Sequence, residues 1–348
     1  MHKIYMIPVF FGILHLAYFA FSFFYPKKRK KTKSAGTNPS IEHIVCFKNE
    51  SRFIEKKLEN CYRIDYPSIH HTFINDNSTD DTLDLLKKFS NDDSDIINNP
   101  TNLGKNQSQI SAVKKTKSEL LLFTDANVFL HKDALHEIVK YFDDEMVGVC
   151  GNVTITTDLE HKDISGKYWQ IEKRIKEFQT LSGSVIGFDG GFYCVKRRNY
   201  YLRRENELSD FETAFLILEQ KLKTGYASTA LADELEKRTI KSSFKARMRA
   251  SNRVFWSYSR IFKYIWSLRK ITLLHFFFHK LLRYLLILSF VLSLPFLIYD
   301  MIKIFPLLPV IFFIPYVFRI TLESIALFTG GIIALFGKEY RTWSDKKS

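Results

Sequence analysis

The chain has 348 residues, a formal net charge of +14 and 46% hydrophobic residues, 32 of them phenylalanine. That length holds one large or two ordinary domains, and apolar residues gathered into long runs argue against a chain lying wholly in water. Six basic residues within 27–33 and nine within 241–270, a stretch without Asp or Glu, account for the whole charge excess. Both basic blocks adjoin apolar runs, and the second is interleaved with aromatic residues. Anionic lipid headgroups explain that pattern better than nucleic acid does, so no nucleic-acid partner is expected.

In chain order, residues 4–25 form an apolar run with His15 as their only ionisable group, long enough to cross a hydrocarbon layer as a helix. A cleaved signal peptide would carry its charges before the apolar run and small residues at its end. Here the charges follow it and the run ends in Phe23-Phe24-Tyr25, so a retained anchor is expected. The basic residues at 27–33 then put the following chain in the cytoplasm and Met1 outside.

Residues 26–40 read as a linker, and from 41 the periodicity turns to α/β. Strands are expected at 41–47, 70–74, 95–98 and 120–124, with helices at 52–61, 82–89 and 107–117 between them, the second capped by Ser78 or Asp80. Such alternation implies a mostly parallel sheet. Further strands are expected at 147–156, 192–196 and 227–231, and helices at 167–180 and 210–221. Four scattered cysteines, Cys46, Cys61, Cys150 and Cys194, read as buried thiols. The expected organisation is a transmembrane anchor (1–25), the linker (26–40), an α/β domain (41–240), basic aromatic interfacial helices (241–280), a transmembrane region (281–337) and a cytoplasmic tail (338–348). Within the transmembrane region, 281–299 is one span. Residues 304–336, broken by Pro306, Pro309, Pro315, Arg319 and Glu323, are either one span with an interfacial lead-in or a hairpin of two. His279, Lys280 and Arg283 lie where a helix would enter the membrane, and snorkelling is expected there.

In an α/β sheet, ligands bind beyond the carboxyl ends of the strands. Three such ends are polar: Asn49-Glu50, Asn75 to Asp80, and Asp125-Ala126-Asn127 after the apolar run Leu120 to Phe123. Oxygen ligands from Asp125 and Asn127, joined by phosphate oxygens, would suit Mg²⁺ or Mn²⁺. Any one of these residues alone reads more often as a turn or cap; their combination and order carry the signal. Residues 187–191, including Asp189, are either an acceptor-side loop or an ordinary turn.

These motifs resemble the family 2 glycosyltransferases with the GT-A fold. Asn49-Glu50 matches an early Asn-Glu, the stretch from Asn75 to Thr82 an Asp-Asp-Gly-Ser-x-Asp-x-Thr, and Asn102-Leu103-Gly104-Lys105 an Asn-x-Gly-Lys. Thr124-Asp125-Ala126-Asn127 matches the metal-binding Asp-x-Asp region, and Ser209-Asp210-Phe211 the motif with the catalytic base. Glu234, Arg247 and Arg249 also fit. The resemblance covers about 41–283 and extends to the integral-membrane branch with cellulose, hyaluronan and poly-N-acetylglucosamine synthases. It implies that Asp76 meets the nucleoside base, that Asn49, Glu50, Lys105, Arg247 and Arg249 serve the donor, that Asp125 and Asn127 manage diphosphate and metal, and that Asp210 is the general base; should Asp210 prove a helix cap instead, Asp189 and Glu207 are the next acids to test. The implied donor is a nucleotide-diphosphate sugar of the uridine type, and the implied acceptor a saccharide or lipid-linked molecule at the inner face of a bacterial-type inner membrane.

Two features depart from the family pattern. Asn127 replaces the second Asp of the metal motif, and residues 244–253 lack the Gln-x-x-Arg-Trp of processive members, which weighs against polymerisation. A polyprenyl-phosphate glycosyltransferase and a non-catalytic membrane subunit with a degenerate transferase domain stay open as alternatives.

Overall fold

The structure, a computed structural model, describes residues 3–25, 38–156, 165–200, 209–235, 240–304, 307, 310–311 and 314–340. The basic cluster at 27–33, Glu207 and the tail from 341 onward lie outside the described residues. The chain divides into two compact units: Met1–Lys27, Lys162–Phe178 and Arg238–Tyr340 form one, and Lys28–His161, Gln179–Lys237 and Arg341–Ser348 the other.

The second unit is built on an eight-stranded sheet. Its strands are β1 (Ile41–Phe47), β2 (Ile69–Asn75), β3 (Ser94–Asn98), β4 (Leu120–Asp125), β5 (Val128–Leu130), β6 (Met146–Thr156), β7 (Phe192–Lys196) and β8 (Lys223–Leu235), in the order β3-β2-β1-β4-β7-β6-β8-β5. Helices α2 (Ile54–Tyr62), α3 (Thr82–Phe89), α4 (Lys105–Val113), α5 (Ala134–Val139) and α7 (Ser209–Glu219) accompany it. All seven residues of β1 are buried, as a strand covered on both faces requires. Ile44 and Cys46 enter one core, with Leu121, Phe123 and Tyr193; Val45 and Phe47 enter another, with Ile54, Leu58 and Phe73. Each fully buried aliphatic or aromatic side chain of this kind contributes roughly 1.5–3 kcal/mol.

Strands β1 to β4 pair in parallel, as the alternation implied. The second half is mixed: β7 inserts antiparallel between β4 and β6, and β5 pairs antiparallel with β8. Helix α4 begins two residues earlier than the periodicity implied, because Gly104 holds φ at +83° and turns the chain directly into it; this conformation suits glycine. The N-cap position of α3 is Asp81 rather than Ser78 or Asp80, and it makes no side-chain cap hydrogen bond; Asp80, one residue before it, accepts on Oδ1 from the Thr82 N–H at 3.2 Å. All four cysteines are free and buried.

The first unit carries three helices long and apolar enough to cross a membrane among the described residues: Lys3–Phe24, Lys270–Ile304 and Val317–Leu335. They correspond to α1 (Met6–Phe24), to α9 (Lys270–His275) running through a π-helical turn at Phe276–Leu281 into α10 (Leu282–Ile304), and to most of α11 (Pro315–Leu335). Helix α8 (Ile240–Ile261) packs along α11. Ser251 Oγ donates to the Leu327 carbonyl at 2.5 Å and Asn252 Nδ2 to that of Gly330 at 3.3 Å. A Cβ on Gly330 would sit 2.1 Å from the Met248 carbonyl oxygen, so glycine is what permits this approach.

Snorkelling does not describe His279 and Arg283. His279 is 1% exposed, and its Nε2 lies 2.9 Å from Glu172 Oε2, while Arg283 Nη1 lies 2.6 Å from Glu172 Oε1. Glu172 belongs to α6 (Ser165–Ser182). A buried acid reaches both side chains, so they are paired within the unit. Two further polar contacts tie α1 to the same region: the Tyr18 hydroxyl to His275 Nδ1 at 2.9 Å, and His15 Nδ1 to the Phe278 carbonyl at 3.1 Å.

Candidate active site

The carboxyl ends of β1, β2 and β4 meet in the second unit because these strands pair in parallel and in register, with Phe47 opposite Asn75 and Cys46 opposite Asp125. The β1 and β2 end loops are stitched together. Asn49 Oδ1 accepts from the Thr79 N–H at 2.8 Å, the Asn49 N–H donates to Ser78 Oγ at 3.0 Å, and the Lys48 ammonium donates to the Asn77 carbonyl. Asn49 and Asn77 both have φ of +54°, a region asparagine tolerates better than most residues. Glu50 is buried, its N–H donating to Thr82 Oγ1 at 3.0 Å.

Asp76 is fully buried and its carboxylate is occupied. Oδ1 accepts from Asn99 Nδ2 and the Leu103 N–H, both at 2.9 Å, and Oδ2 from the Gly104 N–H at 2.8 Å. It thereby fixes the loop that delivers Lys105 at the start of α4. Lys105 Nζ lies 2.5 Å from Asp125 Oδ1 and donates to the Gly190 carbonyl at 3.2 Å. Burial opposes its charge, but Asp125, by charge and hydrogen bond, and Asp210 outweigh burial and raise its pKa.

Asp210, in the first turn of α7, sits against Gly190 so closely that a Cβ there would lie 2.8 Å from its Oδ2. Burial, only partly offset by Lys105, pushes the Asp210 carboxyl above its ordinary range, with Asp189 adding to the rise. Residues 187–191 are therefore part of this constellation: Asp189 Oδ1 accepts from the Gly191 N–H at 3.4 Å, and the Gly191 carbonyl accepts from the Asp125 N–H at 3.3 Å.

Asn127 is oriented by its amide nitrogen, which donates to Glu234 Oε1 at 3.3 Å and to the Leu235 carbonyl at 3.1 Å. Carboxylate and amide oxygens such as those of Asp125 and Asn127 are donors of the hardness Mg²⁺ or Mn²⁺ takes. Arg247 and Arg249 lie on α8, in the other unit, where Arg247 is 3.7 Å from Glu323.

The support beneath the Asp125 turn comes from residues that the sequence pattern does not single out. Lys57 is completely buried, donating to Thr124 Oγ1 at 2.8 Å and to the Val128 carbonyl, so it clasps both sides of the turn. Burial lowers its pKa. His43 Nε2 shares a 2.8 Å hydrogen bond with the same Thr124 hydroxyl, and its Nδ1 lies 3.1 Å from that of His71. A lysine in a polar helix reads as solvated, and only the histidines inside two strands hinted at a polar core. His43, Cys61 and His71 are close enough to hold a metal ion, but nitrogen and sulfur donors suit softer ions than those that serve phosphate.

Residues 43–202 match the profile of glycosyl transferase family 2. Poly-beta-1,6-N-acetyl-D-glucosamine synthase of Staphylococcus aureus (strain COL) is 28% identical over 203 residues, covering 55% of this chain and 48% of that protein. The enzyme of the same name from Staphylococcus epidermidis is 26% identical over 162 residues, covering 44% and 38%. The chain thus spans about half the length of the curated relatives it matches. Among solved structures, mannosyltransferase PcManGT from Pyrobaculum calidifontis, in complex with GDP-Man and Mn²⁺, superposes with a TM-score of 0.73 over 97% of this chain and 100% of that one, at 16% identity. At that identity the likeness establishes the GT-A-like fold.

Proposed function

We propose, from the match of residues 43–202 to the profile of glycosyl transferase family 2, that the chain is a membrane-bound inverting glycosyltransferase. It transfers a sugar from a nucleotide-diphosphate donor, a uridine diphosphate sugar in the first instance, to a saccharide or lipid-linked acceptor in cell-surface polysaccharide or glycolipid synthesis. The observation that carries this reading is the bridge by Lys105, which joins Asp125 to the Gly190 carbonyl beside Asp210. A cation and two carboxylates, one of them with a raised pKa, are thereby gathered near the carboxyl end of β4.

In this reaction the acceptor hydroxyl attacks the anomeric carbon, its proton passes to a carboxylate oxygen of Asp210, and the bond to the diphosphate oxygen breaks. A base whose pKa is raised by burial is better matched to that proton transfer. Lys105 meets the diphosphate, and Asn49, Glu50 and Asp76 hold the loops around the nucleoside. Arg247 and Arg249 are assigned to the donor by resemblance alone. Mg²⁺ or Mn²⁺, held by Asp125 and Asn127, would neutralise charge on the departing diphosphate. The basic residues at 27–33 favour a cytoplasmic active site.

Purified protein should release nucleoside diphosphate from one member of a panel including UDP-N-acetylglucosamine and GDP-mannose, only with Mg²⁺ or Mn²⁺ present. Absence of release from every donor, with membrane acceptors supplied, overturns the reading.

A further inference from the structure

His43 and His71 stand opposite each other on the paired strands β1 and β2. Cys61 reaches the same place from α2, one helical turn after Lys57 and so on the same helix face. Its sulfur and one nitrogen of each imidazole lie within 4.8 Å of one another. All three residues are buried: His43 is 0% exposed, His71 3% and Cys61 1%. Three elements thus deliver two nitrogen donors and one sulfur donor to a single point inside the second unit, well apart from the polar strand ends that carry Asp125 and Asn127.

The spacing is that of a ligand set. The two Nδ1 atoms face each other at 3.1 Å, and two nitrogens each about 2.0–2.1 Å from a tetrahedral ion stand about 3.3 Å apart. Nitrogens that face each other either share one proton or turn both lone pairs to one cation. On the far side of its ring, His43 Nε2 meets the Thr124 hydroxyl at 2.8 Å. Metal-ligating imidazoles nearly always donate their second N–H to such a partner, which fixes the tautomer. The His71 ring is held as well, stacked on Phe73 with 5.8 Å between ring centres and met edge-on by Tyr62 at 5.7 Å. A thiolate in the set offsets part of an ion's charge, in a core where the Lys57 ammonium already shares Thr124 with His43. The group holds no carboxylate, so it serves Mg²⁺ and Mn²⁺ poorly and a soft ion well.

We propose that His43 Nδ1, His71 Nδ1 and the Cys61 thiolate form a second metal site, for a soft closed-shell cation, Zn²⁺ or Cu⁺. Binding forms two metal–nitrogen bonds and one metal–sulfur bond and releases the Cys61 thiol proton to solvent. The ion pins β1, β2 and α2 to one another and, through His43 and Thr124, backs the turn that carries Asp125. With every ligand buried, the ion is taken up as the chain folds and stays in the native protein. The site goes beyond the transferase reading and does not depend on it.

Untagged full-length protein is purified in detergent with EDTA throughout, and its zinc and copper are measured by mass spectrometry, which tells the two ions apart. One soft ion per chain should remain. Cys61→Ser should lose it. Asp125→Asn, which removes a hard-ion donor, and Cys194→Ser, a buried thiol of another core, should both keep it. Protein expressed in medium with Co²⁺ in place of Zn²⁺ should show a thiolate-to-Co²⁺ charge-transfer band that Cys61→Ser abolishes and Cys194→Ser preserves, a signature that a merely less stable fold does not produce. Wild-type protein with zinc and copper both far below one per chain overturns the proposal, as does an ion content that survives Cys61→Ser or vanishes in Asp125→Asn. Should Cys61→Ser fail to fold, the wild-type Co²⁺ spectrum decides: without the thiolate band, the two imidazoles share a proton and the site is struck out.

Discussion

Lys105 Nζ and Asp125 Oδ1 lie 2.5 Å apart, although the two residues come from different elements, the first turn of α4 and the end of β4. A donor diphosphate would have to share this ammonium with Asp125. Lys105→Met should therefore weaken donor binding, raising the donor KM by about 10–100-fold, the worth of a hydrogen bond to a charged group. Donor titration by calorimetry in the presence of Mn²⁺ checks this; an unchanged affinity would remove Lys105 from the donor site.

Metal dependence is the second test. Turnover should vanish in excess chelator and return with Mn²⁺ or Mg²⁺. Asn127→Asp restores a charge where Glu234 already stands close, so it should tighten the metal titration, and more so at low ionic strength. An identical titration curve would show that Asn127 does not touch the ion.

Asp210 makes opposite predictions for rate and stability. As a base it must be ionised, so transfer should fall as pH drops through a pKa lying above the ordinary carboxylate value of 3.8. The same rise means that the ionised form costs stability when folded, a penalty present above the folded pKa and relieved as pH falls through it. Asp210→Asn should therefore melt at or above the wild-type temperature at neutral pH while losing transfer about 10²–10⁴-fold. An amide still caps a helix, so near-normal transfer would reduce Asp210 to a cap.

Glu172 is the acid on which the membrane unit's buried pairing turns. Burial pushes its pKa up, but His279 and Arg283 outweigh burial and hold it well below 4.5. Its stabilising effect is then fully present above 4.5 and is lost only as pH falls through that depressed value. Glu172→Ala strands Arg283 and should cost about 3–5 kcal/mol, read as a lower melting temperature in detergent at neutral pH. A melt unchanged by this substitution would mean the pair contributes nothing net.

Local pattern alone determined much of this protein. Strand 41–47, helix 82–89 and strand 192–196 coincide with β1, α3 and β7, because alternation and helical spacing are written in adjacent residues. The position of Asp125 directly after an apolar strand was legible for the same reason, and so were the three long apolar runs. What tertiary structure decided was partnership. Asp76 could be recognised as important but not as the acceptor for the loop before α4, and Lys57 could not be told from a solvated lysine. The antiparallel insertion of β7 left no mark on its own residues. His279 and Arg283 looked like snorkelling cations because their partner, Glu172, lies 107 and 111 residues away. Periodicity reports which face of an element is apolar. Which charge lies opposite a given charge depends on how distant elements pack, and burial then sets what that pairing is worth.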